Sequence, residues 1–235
     1  MSNQRPTVAA FDFDGTITRG GSVAAFLVKV RGPGAVAAAL LEQAPAVARA
    51  AVVGGAAADN TKEKLFMRLL AGVPADEVER AGVAFAQEHL RRRLRPETGA
   101  RIDWHRKQGH HVIVVSASPE CYIRPAAELL GAQGALATRL AVSGSLLTGR
   151  YEGKNCRGAE KYARVMGWIR SQGLGGGQPV LWAYGNSRGD QRLLQAADFG
   201  IDAGRLGRFG RLRRFPRLAE LEHRSGNAPA GRFTE

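Results

Sequence analysis

The run Val8-Ala9-Ala10-Phe11-Asp12-Phe13-Asp14-Gly15-Thr16-Ile17-Thr18 places two carboxylates two residues apart, where an apolar stretch gives way to glycine and hydroxyl residues. Residues 7–15 read as a buried strand, and a buried strand tolerates this pattern only at its carboxyl end. Side chains i and i+2 of a strand share a face, so Asp12 and Asp14 are expected to leave the sheet edge together. In an open parallel sheet that edge borders the crevice where ligands bind. Gly15 lets the backbone turn away. Two carboxylates this close repel each other, so either a cation lies beside them or one keeps a proton. Both states suit catalysis. A plain acidic turn would look the same over so short a stretch, and the rest of the chain decides between them.

The 235 residues suffice for one large domain or two small ones. From Ser22 to about Arg95 no strand pattern occurs. Alanine, leucine and spaced charges dominate, broken at Gly32-Pro33-Gly34, Gly54-Gly55 and Gly72-Val73-Pro74, which predicts several short helices. One helix is expected to start near Asp59, capped by Asn60 or Thr61, and another at Asp76-Glu77, where acids suit the helix dipole. After Pro96, helix and strand alternate. A helix over 98–108 precedes a strand over 110–115 that ends in Ser116-Ala117-Ser118-Pro119, and a helix then runs to Gly131. Residues 135–140 and 146–151 are expected to pair as an antiparallel excursion around Ser143-Gly144-Ser145. A helix over 159–170 and a loop over 173–178 lead to a strand over 179–184 that ends in Gly185-Asn186-Ser187-Arg188-Gly189-Asp190. A last helix and a strand over 199–202 follow. The expected fold class is α/β, a Rossmann-like doubly wound parallel sheet, with residues 20–95 a helical insertion after the first strand and residues 1–19 and 96–235 the core.

Three apolar strands thus end in polar clusters: Asp12 with Asp14, Ser116 with Ser118, and Asn186 with Asp190. Lys161 is a lone basic residue in the helix between the second and third. A parallel sheet brings these ends to one edge. The inventory suits phosphoryl transfer to an enzyme carboxylate: a nucleophilic Asp, a second Asp to carry protons, a hydroxyl and an ammonium for phosphate oxygens, and oxygen ligands for Mg²⁺.

At these residues the chain resembles the haloacid dehalogenase (HAD) superfamily, in particular its phosphoserine-phosphatase-like branch, subfamily IB. FDFDGTIT is similar to that family's first motif, VIVVSAS to the second, Lys161 in GAEKYARV to the third and WAYGNSRGD to the fourth. The resemblance covers about residues 7–203. It implies a HAD core with a helical C1-type cap and a Mg²⁺-dependent phosphomonoesterase. On this implication Asp12 attacks phosphorus to form an aspartyl-phosphate, and Asp14 serves as general acid and then base, with its main-chain carbonyl on the metal. Ser116, Ala117 and Lys161 hold phosphate oxygens, Asp12, Asp14, Asn186 and Asp190 hold Mg²⁺, and Lys64 reaches from the cap to a second anionic group of the substrate.

Two features depart from the family pattern. Asn186 stands where many relatives carry a carboxylate, so Asp190 is expected to take more of the metal binding. The glutamate that usually pairs a substrate ammonium shortly after the first motif is missing: Arg19-Gly20-Gly21-Ser22 is followed by no acid before Glu42. A phosphorylated lipid headgroup or sugar alcohol is therefore at least as suitable as phosphoserine. Ser118 and Ser187 read as turn or capping residues.

The formal charge of +13 is spread along the chain rather than gathered in one tail. It favours small anionic substrates and can support loose contact with acidic lipid or nucleic acid. A non-catalytic basic protein on the same fold is the rival reading, opposed by the joint presence of Asp12, Asp14, Ser116 and Lys161. Cys121 and Cys156 form no disulfide framework, and no signal peptide or spanning segment is evident, so a cytoplasmic protein without a stable protein partner is expected. His89, His105, His110, His111 and His223 lack metal-ligand spacing. Arg91 to Arg95 read as a solvated helix face. Leu206, Phe209, Leu212, Phe215 and Leu218, interleaved with arginines, read as a closing segment that packs on the core, with a lipid- or RNA-binding strip as the alternative.

Overall fold

The computed structural model describes residues 5–53, 55–204, 212 and 215–222. Strand β1 (Thr7–Phe11) opens the fold, followed by α1 (Val23–Arg31), α2 (Pro33–Glu42), α3 (Ala44–Val53), α4 (Gly55–Leu70), α5 (Ala75–Arg93) and α6 (Pro96–Lys107). Then come β2 (His111–Pro119), α7 (Glu120–Leu129), β3 (Gly134–Thr138), β4 (Leu140–Ser143), β5 (Leu146–Tyr151) and α8 (Ala159–Ser171). The chain continues through β6 (Val180–Gly185), α9 (Gln191–Ala196), β7 (Phe199–Asp202) and α10 (Leu218–Glu222).

A five-stranded parallel sheet runs in the order β3-β2-β1-β6-β7. Its centre is β1, whose Val8, Ala9, Ala10 and Phe11 are fully buried. Alternate residues feed two cores, as a sheet covered on both faces requires. Ala9 and Phe11 join Val112, Val114, Trp182 and Tyr184 on one side. Val8 and Ala10 join Ile113, Val115, Leu181 and Ala183 on the other, beneath Val165 and Ile169 of α8. The chain winds one way through β2 and β3 and the other way through β6 and β7, so the switch point falls between β1 and β6.

Helices α1 to α5 lie between β1 and α6 in sequence and are tied back by main-chain hydrogen bonds at the neck and farther out. At the neck, Arg19 N donates to Arg93 O and Arg95 N to Ile17 O, which sets the two crossing segments side by side. Farther out, the turn between α4 and α5 pairs with the start of β5: Gly72 N donates to Leu147 O and Leu147 N to Val73 O. Among the described residues no helix is long and apolar enough to cross a membrane.

Several local expectations change. Residues 134–138 join the main sheet as β3, in parallel with β2, and only β4 pairs antiparallel with β5. Apolar Ala135 to Ala137 have a buried sheet edge to complete, and this outweighs a local hairpin. Helix α4 begins at Gly55, so Thr61 is no cap; it is buried mid-helix and donates to Ala57 O, one turn back. The 173–178 segment contains a short 3₁₀ turn, Leu174–Gly177. Strand β2 extends through Pro119, with an irregularity in its pairing to β3 after Val115. Leu212 and Leu218 are buried as expected of a closing segment, whereas Leu206, Phe209 and His223 lie outside the described residues.

Helices α5 and α7 meet at Gly82, where a Cβ would come 2.3 Å from the Cys121 carbonyl oxygen. Gly82→Ala should therefore destabilise the protein by up to about 2 kcal/mol, because an overpacking cost of roughly 1–3 kcal/mol outweighs a helix-propensity gain of about 1 kcal/mol. Urea unfolding measures it; an equal or raised midpoint would refute the close contact.

Candidate active site

Strand β1 ends at Phe11, and Asp12 makes one more ladder bond, from its N to Tyr184 O at 2.9 Å. The chain then folds over the Phe13 carbonyl, which accepts from the N–H groups of Thr16, Ile17 and Thr18. Asp12 and Asp14 thus stand in a tight turn just past the strand rather than on its last residues. Gly15 takes φ +80°, and a Cβ there would lie 2.0 Å from Asn186 Nδ2, so this turn needs glycine both for its backbone and for the approach of the β6 loop.

The carboxylate of Asp12 is nearly buried. Its Oδ1 accepts from Lys161 Nζ at 2.6 Å and its Oδ2 from Thr16 Oγ1 at 3.0 Å. Lys161 Nζ also donates to Asp190 Oδ1 at 2.5 Å. Lys161 stands in the first turn of α8 and is almost fully buried. Burial alone would lower its pKa, but the two carboxylates hold it well above the usual lysine value, so the ammonium stays charged. Burial pushes Asp12 up to about 7, assisted by Asp190 and opposed by Lys161. Asp190 suffers the same burial, yet Lys161 and Ser187 hold its carboxyl below the ordinary range. Asp190 is therefore the permanent anion of the trio, and Asp12 the adjustable one.

Asp190 also organises its own loop. Its Oδ2 accepts from Asn186 N, Ser187 N and Ser187 Oγ at 3.2, 3.0 and 2.8 Å. The side chain lies against Gly185, where a Cβ would meet Asp190 Cβ at 2.4 Å. Asp190, expected to serve the metal, here turns Oδ1 to Lys161 and Oδ2 to the loop donors. Ser187 keeps the expected turn role.

At the end of β2, Ser116 is buried, and its Oγ accepts from Ser118 N at 3.1 Å, which leaves its hydroxyl proton for another acceptor. Ala117 is half-buried between them. Ser118 is no mere turn residue, because its Oγ donates to Asp14 Oδ2 at 2.5 Å. Among the described residues Asp14 Oδ1 is buried without a partner.

The lysine from the helical insertion is Lys62, not Lys64. Lys62 Nζ donates to Ala117 O at 2.7 Å and to Asn155 Oδ1 at 3.1 Å, while Lys64 is exposed. Two residues along a helix turn a side chain by roughly 200°, so a reading two positions out selects the solvent face. Burial brings Lys62 down to about 8, opposed by Asp59 and Asp14. Asn155 in turn donates to Asp59 Oδ1 at 2.7 Å. The sequence offered only the Lys-Glu-Lys pair as a signal for this contact.

Arg95 likewise departs from its neighbours. Arg91, Arg92 and Arg93 are exposed as expected, but Arg95 is buried and donates to Gly15 O at 2.6 Å and to Ala203 O. It ties the Asp14-Gly15 turn to the end of β7. His105 is also buried, with Nε2 2.8 Å from Tyr184 Oη, and burial with Arg101 nearby brings its pKa down to about 2. It is a satisfied core imidazole. Cys121 and Cys156 are free and buried.

Mg²⁺ favours a few hard oxygen ligands and keeps water in its other positions. Among the described residues no three His, Cys, Asp or Glu side chains converge as a metal cage. The donor set that remains is mixed and fits such an ion: the Asp12 carboxylate, the Asp14 main-chain oxygen and the Asn186 amide, which makes no side-chain hydrogen bond among the described residues and lies over Gly15.

A family model described as haloacid dehalogenase-like hydrolase matches residues 9–195. Protein CicA of Caulobacter vibrioides (strain NA1000 / CB15N) is 33% identical over 195 residues, 82% of this chain and 84% of that protein. A protein of unknown function from Bordetella pertussis Tohama I has the same fold, with a TM-score of 0.77 at 24% identity over 91% of this chain and 98% of its own. Two phosphoserine phosphatase structures, one substrate-bound and one a phospho-aspartyl intermediate analogue, each give a TM-score of 0.61 at 21% identity, over 85% of this chain and 87% of theirs. The family match spans the motif-bearing strand ends and the helices between them, and the chain is accordingly an enzyme of the haloacid dehalogenase-like hydrolase family.

Proposed function

We propose that the chain is a Mg²⁺-dependent phosphomonoesterase that works through an aspartyl-phosphate on Asp12. The observation that carries this reading is the buried Asp12–Lys161–Asp190 trio, flanked by Asp14 and by the free hydroxyl of Ser116. Asp12 attacks phosphorus as the ester P–O bond breaks, and the departing alkoxide takes the proton of Asp14. Water then attacks the phosphoryl group, gives its proton to the Asp14 carboxylate, and releases phosphate and free Asp12. Lys161 and the Ser116 hydroxyl hold phosphate oxygens, with the Ala117 N–H as a further donor. When bound by Asp12, the Asp14 carbonyl and Asn186, Mg²⁺ supplies positive charge to the phosphate oxygens. Lys161 opposes protonation of the nucleophile: burial alone favours the neutral acid, and an ammonium at 2.6 Å favours the carboxylate.

Residues 20–95 act in this reading as a cap over the site, excluding water and selecting the leaving group. Lys62, which contacts Ala117, is in this reading the lysine of the cap that faces an anionic or hydroxyl-rich part of the substrate, in place of the exposed Lys64. Between Arg19 and Glu42 the sequence carries no acid to pair an ammonium, so sugar-alcohol phosphates or phosphorylated lipid headgroups suit the pocket at least as well as phosphoserine. The two buried free thiols agree with a reducing, cytoplasmic setting.

In a panel of phosphomonoesters, turnover should require Mg²⁺ and stop with chelator, and Asp12→Asn should fall below a few per cent of the wild-type rate while its circular dichroism is unchanged. Full activity of that variant would contradict covalent catalysis. At fixed Mg²⁺, phosphoserine should exceed glycerol phosphate in kcat/KM by less than about tenfold, equivalent to roughly 1.4 kcal/mol; a larger preference would mean that the pocket holds a carboxylate for the ammonium.

The electrostatic reading has its own test. Lys161→Met leaves two buried carboxylates without their ammonium, which at pH 8 should cost about 3–5 kcal/mol of stability. The penalty should shrink as pH falls through 7 toward 4, because without the ammonium burial favours the neutral form of both carboxyls, and the folded variant then takes up protons more readily than its unfolded chain. Urea unfolding in chelator across this range measures it, and a penalty independent of pH would refute the charge argument.

A further inference from the structure

Past the nucleophile and its lysine, a row of hydroxyls leads away from Asp14 into the interior. Ser118 Oγ donates to Asp14 Oδ2 at 2.5 Å, lies 3.4 Å from Ser22 Oγ, and Ser22 Oγ lies 2.8 Å from Tyr122 Oη. Ser22, Ser118 and Tyr122 are all buried. They come from three elements: Ser22 directly precedes α1 of the insertion, Ser118 lies near the end of β2, and Tyr122 stands in the first turn of α7.

A carboxylate only accepts, and each hydroxyl has one proton to give. With Ser118 donating to Asp14, its oxygen is left to accept from Ser22, and Ser22 is left to accept from Tyr122. The carboxylate thus sets the direction of the whole row. Burial pushes the Tyr122 phenol well above its ordinary value, so the far end keeps its proton. Reversing the Ser118 hydroxyl would take its proton out of the 2.5 Å contact with Asp14 Oδ2 and leave two acceptor oxygens facing each other. The second oxygen of Asp14 contrasts with the first: among the described residues Oδ1 is buried and unpartnered. A proton placed on Oδ2 would face the Ser118 O–H, donor against donor, whereas on Oδ1 it meets no competitor.

We propose that Ser118 is a positioning residue that fixes the Asp14 carboxyl group through Oδ2, so that Oδ1 is the oxygen that delivers the proton to the leaving group. The proposal rests on the reading of Asp14 as the general acid. It assigns the two serines of Ser116-Ala117-Ser118 different tasks: Ser116 offers its hydroxyl to phosphate, and Ser118 orients the acid. Ser22 makes the first helix of the insertion part of the same arrangement.

The test compares two aromatic esters of similar shape, benzyl phosphate and p-nitrophenyl phosphate, in the full chain with Mg²⁺. Benzyl alkoxide needs a proton to leave, and p-nitrophenolate does not. Ser118→Ala should lower kcat/KM for benzyl phosphate roughly 10- to 100-fold, within the ~10²–10⁴ that acid–base help supplies, and change p-nitrophenyl phosphate by less than about threefold. Ser118→Thr, which keeps the hydroxyl, should restore most of the loss, and it also covers the case in which the alanine variant does not fold. Equal losses on both esters, or no rescue by threonine, would overturn the proposal. Asp14→Asn run beside it separates the two levels. If that variant discriminates between the esters while Ser118→Ala does not, only the positioning role fails; if Asp14→Asn treats both alike, the acid role fails and the proposal with it.

Discussion

A single ammonium holds this site together. Lys161 Nζ lies between Asp12 Oδ1 and Asp190 Oδ1, at 2.6 and 2.5 Å, with all three groups removed from water. Two buried carboxylates without that charge would protonate or separate, since the desolvation of each costs several kcal/mol. With it, the end of β1, the start of α8 and the loop after β6 are drawn to one point. The short loops depend on that convergence. Asp190 can accept three donors from Asn186 and Ser187 only because it lies against Gly185, and Asn186 can cover the catalytic turn only because residue 15 is glycine.

The same constraint divides labour between the acids. Asp190 has its charge fixed by Lys161 and Ser187, whereas Asp12, pushed up to about 7 by burial, responds to what approaches it. Asp14 stands apart, with one oxygen tied to Ser118 and the other, among the described residues, buried without a partner. In the proposed reaction, nucleophile, anchor and proton carrier are three carboxylates of one chemical type, made different by their neighbours. Environment rather than residue identity sets their roles.

Much of this was legible because it depends on local pattern. An apolar run ending in Asp-x-Asp-Gly, a β-branched run ending in Ser-Ala-Ser, and a strand ending in Gly-Asn each mark a strand end, and a parallel sheet leaves those ends only one edge to share. The doubly wound order and the helical insertion followed from the alternation of periodicities. What was not legible depends on distance in sequence. Nothing near Lys62 says that it, and not Lys64, faces Ala117; the helix phase that decides is set by packing of Phe66 and Leu69. Arg95 looks like the end of a solvated arginine run until the neck places it beneath Gly15. Residues 134–138 carry too few side chains to show a sheet edge, and only the uncovered flank of β2 makes them a parallel strand. Ser118 looked like turn chemistry because its partner is 104 residues away.

The central claim is that phosphorus is bonded to Asp12 during turnover. Acid-quenched enzyme in steady state with substrate and Mg²⁺, reduced with borohydride, converts an acyl phosphate to the alcohol at the residue that carried it, and peptide mass spectrometry locates the change. The account predicts homoserine at position 12 and no change at Asp14 or Asp190. Reduction at either of those two, or an unmodified Asp12 under conditions of full activity, would contradict it.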